Sequence, residues 1–181
     1  MPKSHRPCKE KSKGGAILSR GSCVALGGMP TVLRSATLQD APDIVRVLRG
    51  SRFRFMPYAP PTHSAAEDLH WARRSLIPTG GVTVACIDGT VVGVLAIRQT
   101  DDAGWIGQLY VEPAYCGRGI GTQLLASALT SLRRPVRLYT FQENERARAF
   151  YEGHGFRPVE FGDGSQNEER YPDVLYEFGC T

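Results

Sequence analysis

The sequence predicts an α+β fold with a mixed, mostly antiparallel sheet of about seven strands, flanked by about four helices. An apolar run over residues 105–111 leads through the turn Cys116-Gly-Arg-Gly-Ile-Gly121 into a helical period of apolar residues. Two β-branched runs, residues 82–87 and 91–97, are joined by Asp88-Gly89-Thr90, a strong hairpin signal. Strand-like runs outnumber helical ones, and several adjoin through short polar turns.

The N-terminal elements begin with a short strand over residues 31–36. Asp40 is the predicted N-cap of a first helix, which ends near Arg49. Residues 51–61, SRFRFMPYAPP, contain three prolines, and we predict an apolar loop there rather than a helix. The capping box Ser64-Ala-Ala-Glu67 starts a second helix, which a proline ends about three turns later.

The C-terminal elements follow the glycine turn and its helix. A strand is predicted over residues 136–141. Asn144 then caps a helix that ends at the glycines near residue 155. The last two strands are predicted over residues 156–161 and 174–178, with the polar loop GDGSQNEERYP between them.

Length and charge indicate one folded domain with a separate N-terminal segment. The chain of 181 residues can bury a sizeable core, and it has no apolar run of about 18 residues that would span a membrane. Residues 1–28 carry six cationic side chains and one carboxylate, a net +5, so the rest sums to −1 within the total of +4. We predict that 1–28 is a disordered basic tail and that 29–181 is the domain. Since that domain lacks a basic excess, the sequence disfavours nucleic acid as a partner.

Cysteine usage favours the cytoplasm and gives no sign of a metal site. The five cysteines are odd in number, scattered, and form no C-x-x-C pair. Structural disulfides belong to oxidising compartments. A reducing cytosol is therefore the predicted location, and no bound metal is expected.

The glycine turn is suited to holding an anion. Spaced glycines let a ligand approach the backbone, and the N–H groups and dipole at a helix start favour phosphate oxygens. A dinucleotide fingerprint fails, because Thr122 or Leu124 stands where its third glycine is required. A nucleoside triphosphate loop fails as well, because no Gly-Lys pair occurs in the chain. On the turn alone, a plain tight connection between strand and helix explains the glycines equally well.

Two motifs in order resemble the GNAT superfamily of N-acetyltransferases. Gly119 and Gly121 match its acyl-coenzyme A pyrophosphate loop, whereas Cys116 replaces the usual Gln or Arg. The later segment Asn144-x-x-Ala147-x-x-x-Tyr151 matches the helix that contacts the pantetheine arm in the family. The order of strands and helices from residue 31 onward also fits. The resemblance implies the three-layer acyl-CoA N-acyltransferase fold and acetyl-coenzyme A (acetyl-CoA) as cofactor.

The resemblance also assigns roles to residues. It makes Tyr151 the general acid for the departing thiolate and Asn144 a cofactor contact. In the family the fourth strand bulges away from the fifth, and a backbone N–H in the gap serves the thioester carbonyl. The residues implied to bind the cofactor are Leu109, Tyr110, Val111, Cys116, Gly117, Arg118, Gly119, Ile120, Gly121, Thr122, Asn144 and Tyr151. If this helix is considered alone, a plain N-cap explains Asn144 and an ordinary core position explains Tyr151.

The general base stays open between two residues and water. Some family members place a Glu early in the fourth strand, but Trp105 stands there in this chain. Glu112 is the nearest carboxylate, and His63 opens the second helix beside the aromatic loop. For each residue the ordinary explanation, a turn carboxylate or a surface histidine, is the commoner one. A water molecule could relay the proton instead.

The predicted activity is acetyl transfer from acetyl-CoA to a primary amine of a small molecule, by direct transfer in a ternary complex. The alternatives are a catalytically silent acyl-CoA sensor and a protein N-acetyltransferase. Acidic residues in the loop before the last strand, Asp163, Glu168 and Glu169, would suit a cationic amine. No membrane partner is expected, and a homodimer is an option because many relatives form dimers.

Overall fold

The computed structural model describes residues 30–59 and 61–179, which form a seven-stranded sheet with helices on both faces. The strands are β1 (Val32–Ser35), β2 (Val82–Ile87), β3 (Thr90–Gln99), β4 (Gly104–Val111), β5 (Val136–Phe141), β6 (Arg157–Gly162) and β7 (Asp173–Phe178). The helices are α1 (Ala41–Phe55), α2 (Ala65–Trp71), α3 (Ile120–Ser131) and α4 (Glu145–Gly153). A π-helical turn, Ala72–Leu76, continues α2. The predicted fold class is confirmed.

The strand order is β1-β2-β3-β4-β5-β7-β6, and each neighbouring pair is antiparallel except β4 with β5. The β2–β3 hairpin turns at Asp88 and Gly89, which both adopt positive φ, as an Asp-Gly hairpin predicts. The strands β2 and β5 have the predicted bounds, and the ends of the other strands differ from prediction by at most two residues.

Two cores lie on opposite faces of the sheet because side chains alternate along each strand. On one face, α1 and the segment after α2 cover Val84, Val91 and Val94. On the other face, α3 and α4 cover a cluster that includes Leu95 and Leu138. Adjacent residues of β3 thus belong to different cores, which fixes the register of the central strands.

The predicted loop over residues 51–61 is wrong in its first half, because α1 continues to Phe55. The N–H of Met56 donates to the carbonyl of Arg52 at 2.8 Å, and the helix ends there. The first proline of the segment is Pro57, so nothing before it interrupts the helical hydrogen bonds. As a result, Arg52 and Phe55 lie on the last turn of α1.

Asp40 precedes α1 as predicted, but its side chain makes no capping hydrogen bond to that helix. Its carboxylate instead accepts from both terminal nitrogens of Arg34, at 2.8 and 2.7 Å, and from the N–H of Thr37 at 2.7 Å. These bonds hold the pKa of Asp40 well below its usual range. The residue therefore ties β1 to the start of α1. The second predicted cap, the capping box of Ser64 and Glu67, is present.

The sheet is divided between β4 and β5. These strands pair only at Gly104 with Val136 and at Trp105 with Arg137, and they then diverge. The register between β3 and β4 shifts just beyond this point, where Gly107 is the extra residue. A bulge turns a strand, so the second half of β4 leaves a wedge-shaped gap in the middle of the sheet.

The predicted tail over residues 1–28 lies outside the described residues. Within the described part of the chain, no helix combines the length and apolar character needed to cross a bilayer.

Candidate functional site

The loop before α3 is shaped to hold an anionic group. Gly117 and Gly119 have φ angles of +81° and +80°, and a Cβ added at either would meet no atom within 4 Å. The first backbone hydrogen bond of α3 runs from the N–H of Gln123 to the carbonyl of Gly119 at 3.0 Å. The N–H groups of residues 120–122 therefore have no acceptor within the helix. This open, positively polarised cradle fits a diphosphate.

The start of α3 is held against α4. A Cβ added at Gly121 would lie 3.5 Å from the ring of Phe150, so the glycine permits a close approach. One ring nitrogen of His154 contacts the carbonyl oxygen of Phe150 at 2.7 Å, and the other contacts the hydroxyl of Thr122 at 3.2 Å. These contacts fix the position of the cradle relative to α4.

The second half of β4 turns backbone donors toward the gap in the sheet. The N–H of Glu112 donates to the carbonyl of Val92 at 2.8 Å, toward β3. Since N–H groups alternate sides along a strand, the N–H of Tyr110 also faces β3, and those of Leu109 and Val111 face the gap. On that side the hydroxyl of Ser51 donates to the carbonyl of Val111 at 2.6 Å.

The helix α4 brings Asn144 and Tyr151 to the same gap. The side-chain oxygen of Asn144 accepts from the N–H of Ala147 at 3.1 Å, so this residue is a helix N-cap. Tyr151 lies two turns later and is 7% exposed, with its ring packed against Phe150 and Phe156. Burial raises the pKa of Tyr151 well above its ordinary value, so its hydroxyl keeps its proton at neutral pH.

These elements enclose a central cavity of about 650 Å³. Every residue predicted to bind the cofactor lines it except Arg118. The guanidinium of Arg118 instead lies over the ring of Tyr115 at 4.9 Å and donates to the carbonyl of Ala114 at 3.3 Å. The cavity thus joins the anion cradle, the open edge of β4 and the tyrosine of α4.

Two further cavities share lining residues with the central one: the inner cavity lies between β4 and β5, and the outer cavity lies beside α1 and α2. The inner cavity of about 250 Å³ is lined by Arg52, Tyr110 and Tyr151. The outer cavity of about 510 Å³ is lined by Arg52, His63 and Tyr110, among others. Because Tyr110 lines all three cavities and Tyr151 lines two, the three spaces meet around these two side chains.

The two base candidates occupy different surroundings. His63 lines the outer cavity, and its Nε2 lies 2.7 Å from a carboxylate oxygen of Glu168. Glu112 pairs with Arg46 of α1 and lines none of the three cavities around Tyr110. Trp105 stacks on Tyr139 with ring centroids 5.9 Å apart, which accounts for the aromatic residue where some relatives carry a Glu.

Sequence reasoning assigned no role at the cofactor site to the end of α1. Ser51, Phe55 and Met56 all line the central cavity. Arg146 of α4 also lines it, and its guanidinium lies 4.7 Å from the Phe55 ring centroid. The sequence does contain a sign of this extension, because the four-residue spacing from Ser51 to Phe55 continues one face of the first helix. The prediction of a loop over residues 51–61 left that spacing unused.

Comparisons with known proteins identify the family of this chain. The profile of the acetyltransferase (GNAT) family matches residues 46–156. An uncharacterized N-acetyltransferase of Archaeoglobus fulgidus is 32% identical over 148 residues, which cover 74% of this chain and 99% of the relative. The mycothiol acetyltransferase of Beutenbergia cavernae is 43% identical over 77 residues, covering 40% of this chain and 26% of the relative.

A solved structure shows the same fold. The PaiA N-acetyltransferase of Thermoplasma acidophilum, in complex with coenzyme A, superposes with a TM-score of 0.64 at 22% identity. The match covers 82% of this chain and 98% of that one. With a family profile over more than half of its length and a relative aligned end to end, the chain belongs to the acetyltransferase (GNAT) family and is an acetyl-CoA-dependent N-acetyltransferase.

Proposed function

We propose that this enzyme acetylates the primary amine of a small molecule, by direct transfer within a ternary complex. The observation that carries the proposal is a set of bridges across the outer and inner cavities, between the α1–α2 region and the β6–β7 loop. Arg52 pairs with Glu169 at 2.8 Å, and His63 contacts Glu168 at 2.7 Å. Farther along, the rings of Tyr58 and Tyr171 lie 5.1 Å apart.

These bridges favour a small acceptor over a polypeptide. They leave spaces of about 510 and 250 Å³, in or just below the usual range of about 300–1,000 Å³ for small-molecule pockets. An extended peptide would need a groove open at both ends, and the contacts between the two segments cross that path. A protein acceptor would have to break them.

We assign the roles as follows. Acetyl-CoA supplies an activated thioester when bound, and the N–H groups of residues 120–122 hold its diphosphate. The N–H groups of Leu109 and Val111 donate to the acyl oxygen, where negative charge develops during attack. Tyr151, which retains its proton, gives it to the departing thiolate. Asn144 fixes the start of α4 and thereby the position of Tyr151.

For the proton of the amine, we favour His63 over Glu112. His63 lines the outer cavity together with Tyr110, and a carboxylate oxygen of Glu168 orients its ring. Glu112 is held by Arg46 and lines none of the acceptor spaces. His63 is exposed at the cavity rim, so one or more waters would carry the proton between the amine and its ring.

A thiol-release assay tests the proposal. We expect acetyl-CoA turnover with at least one member of a panel of small primary amines, at a kcat/KM about tenfold or more above that for peptides with free N-termini or lysines. Faster acetylation of peptides would make the chain a protein N-acetyltransferase. Tight coenzyme A binding without turnover of any amine would favour the silent acyl-CoA sensor.

We also propose that the enzyme works in the cytoplasm and that residues 29–181 are its catalytic domain. Cys86 and Cys116 are both free thiols, as expected in a reducing compartment. Fractionation of the native host checks the location. The homodimer stays a prediction of the family resemblance, and sedimentation equilibrium measures it.

A further inference from the structure

The side chain of Arg52 has unused hydrogen-bonding capacity where the inner and outer cavities meet. It lines both cavities, and its side chain is 20% exposed. Its Nη1 is paired with Glu169 at 2.8 Å. Its Nε and Nη2 are buried and make no hydrogen bond within 3.5 Å to a described residue. The hydroxyl of Tyr110 lies close enough for the guanidinium to oppose the rise that burial causes in the pKa of that phenol. Buried donors without acceptors are uncommon in folded proteins and costly in free energy.

The two unpaired nitrogens form one edge of the guanidinium. The N–H bonds of Nε and Nη2 run parallel, which is the arrangement that grips a carboxylate with two hydrogen bonds at once. The hydroxyl of Tyr58 is a third buried group without a partner in the described structure. Arg52 is near enough to Tyr58 to act on its pKa, which burial raises to about 12. Tyr58 lines none of the three cavities, so the donors that face a ligand there are the two nitrogens of Arg52.

The carboxylates around these cavities are already engaged within the protein. Glu169 is paired with Arg52, Glu168 with His63, and Asp68 with Arg49 at 2.5 Å. Glu67 caps α2 through Ser64. In the inner cavity, Asp173 accepts from the side-chain amide of Asn167 at 2.9 Å. The acidic side chains that line these cavities thus already have hydrogen-bond or ion-pair partners within the protein, in contrast to the expectation of a cationic acceptor.

We propose that the acceptor carries a carboxylate as well as its primary amine, and that the Nε–Nη2 edge of Arg52 binds that carboxylate. This inference rests on the proposed small-molecule function and narrows it to amino acids and related amino-carboxylates. The inner cavity holds Arg52 and Tyr151 in its wall, so a short amino-carboxylate anchored at Arg52 extends its amine toward the tyrosine. Its volume of about 250 Å³ suits such a ligand.

Matched pairs of substrates test the proposal. The panel consists of the common L-amino acids and their primary amides, which keep the amine and the side chain but lack the carboxylate. At least one amino acid should exceed its amide about tenfold or more in kcat/KM. The amine of an amino acid amide is less basic than the amine of the amino acid, so a larger fraction of it is in the reactive neutral form. This difference favours the amide, which is the direction opposite to the expected result.

Variants of Arg52 connect the preference to this side chain. Arg52→Met should lower kcat/KM for the amino acid about 10–100-fold, mainly through KM, because charge-assisted hydrogen bonds are lost. It should lower kcat/KM for the amide far less, so that the ratio of acid to amide falls, and it should leave the affinity for coenzyme A nearly unchanged. Arg52→Lys should recover only part of the loss, because an ammonium lacks the parallel edge. The matched control is Arg49→Met, one turn earlier in α1, because the Arg49 guanidinium is already paired with Asp68. In this variant the ratio of kcat/KM for the amino acid to kcat/KM for its amide should persist.

Each other outcome is decisive. Amides that match or exceed the acids, or an Arg52→Met variant that slows both equally, would overturn the carboxylate site and leave amine acetylation standing. If no amine is acetylated, the proposed function fails, and calorimetry on the coenzyme A complex then decides the site. The carboxylate site is supported if an amino acid gives heat of binding to the wild type, and if this heat is absent for its amide and for the Arg52→Met variant. The site is overturned if no amino acid gives heat of binding.

Discussion

At the scale of single residues, Tyr151 combines burial with contact to two cavities. A buried phenol holds its proton more tightly than an exposed one, because ionisation would leave a charge without solvent. The pKa of Tyr151 is raised for this reason. A raised pKa means that the protonated form persists to higher pH, so the proton remains available for transfer throughout the neutral range.

Tyr151→Phe should therefore lower kcat about 10–100-fold, with little change in coenzyme A affinity. The expected fall in kcat is at or below the usual effect of removing a general acid. The reason is that the thiolate of a thiol with an ordinary pKa near 8.5 is a fairly good leaving group without protonation. Steady-state kinetics with calorimetry measure both quantities. In the wild type, the ionisation of Tyr151 should cause no fall in kcat between pH 8 and 10, since its pKa lies above the ordinary value of about 10.

Unchanged turnover in Tyr151→Phe would remove the tyrosine from its catalytic role. An alkaline fall in kcat that begins near pH 8 and is absent from the Phe variant would contradict the direction of the pKa shift. Tyr176→Phe is the reference for nonspecific loss of a tyrosine hydroxyl, because Tyr176 is buried as Tyr151 is but lines none of the three cavities.

At the scale of elements, short-range rules predicted the turns and caps that depend on neighbouring residues. The Asp88-Gly89 hairpin, the capping box at Ser64 and the cap at Asn144 are all present. The end of α1 was not predicted, because three prolines in SRFRFMPYAPP outweighed a helical period that continues to Phe55. That extension places Arg52 on a helical turn in the cavity walls, a fixed position that the predicted loop did not give it.

The glycine loop before α3 allows a controlled test of the anion cradle. Gly119 and Gly89 share a positive φ, +80° and +75°, and a Cβ at either would meet nothing within 4 Å. Replacing either with Ala should cost about 1 kcal/mol of stability, since a left-handed backbone is unfavourable for a residue with a Cβ. Only Gly119→Ala should also weaken coenzyme A binding, by about tenfold, because only its Cβ would point into the cradle.

Chemical denaturation and calorimetry on the two variants separate these effects. Equal stability losses with a selective affinity loss in Gly119→Ala are the expected pattern. If both variants bind coenzyme A as the wild type does, the diphosphate lies elsewhere. Gly119→Asp should weaken binding further, because its carboxylate repels the phosphates as well as crowding them.

At the scale of the whole molecule, the site exists because the sheet is not continuous. β4 and β5 are the only parallel neighbours in this sheet and lie at its centre. They pair at just two positions along their length. The sequence motifs predicted what lies on each side of the gap. The width of the gap and the bridges across the acceptor cavities depend on contacts between residues far apart in sequence, such as Arg52 with Glu169, and no local pattern encodes those.

A ligand that binds in this gap should stabilise the entire fold, because the site exists only when both halves of the sheet are folded. At a coenzyme A concentration about 100 times its Kd, linkage gives about 2.7 kcal/mol. For a chain of this size that corresponds to a rise in Tm of about 5–11 °C. Differential scanning calorimetry measures the rise, and an equal concentration of ATP, which has phosphates but no pantetheine arm, should give a clearly smaller one. A Tm that stays constant at concentrations where titration calorimetry shows saturation would mean that the unfolded chain binds coenzyme A as tightly as the folded one does. The binding site would then not depend on the folded arrangement of β4 and α4.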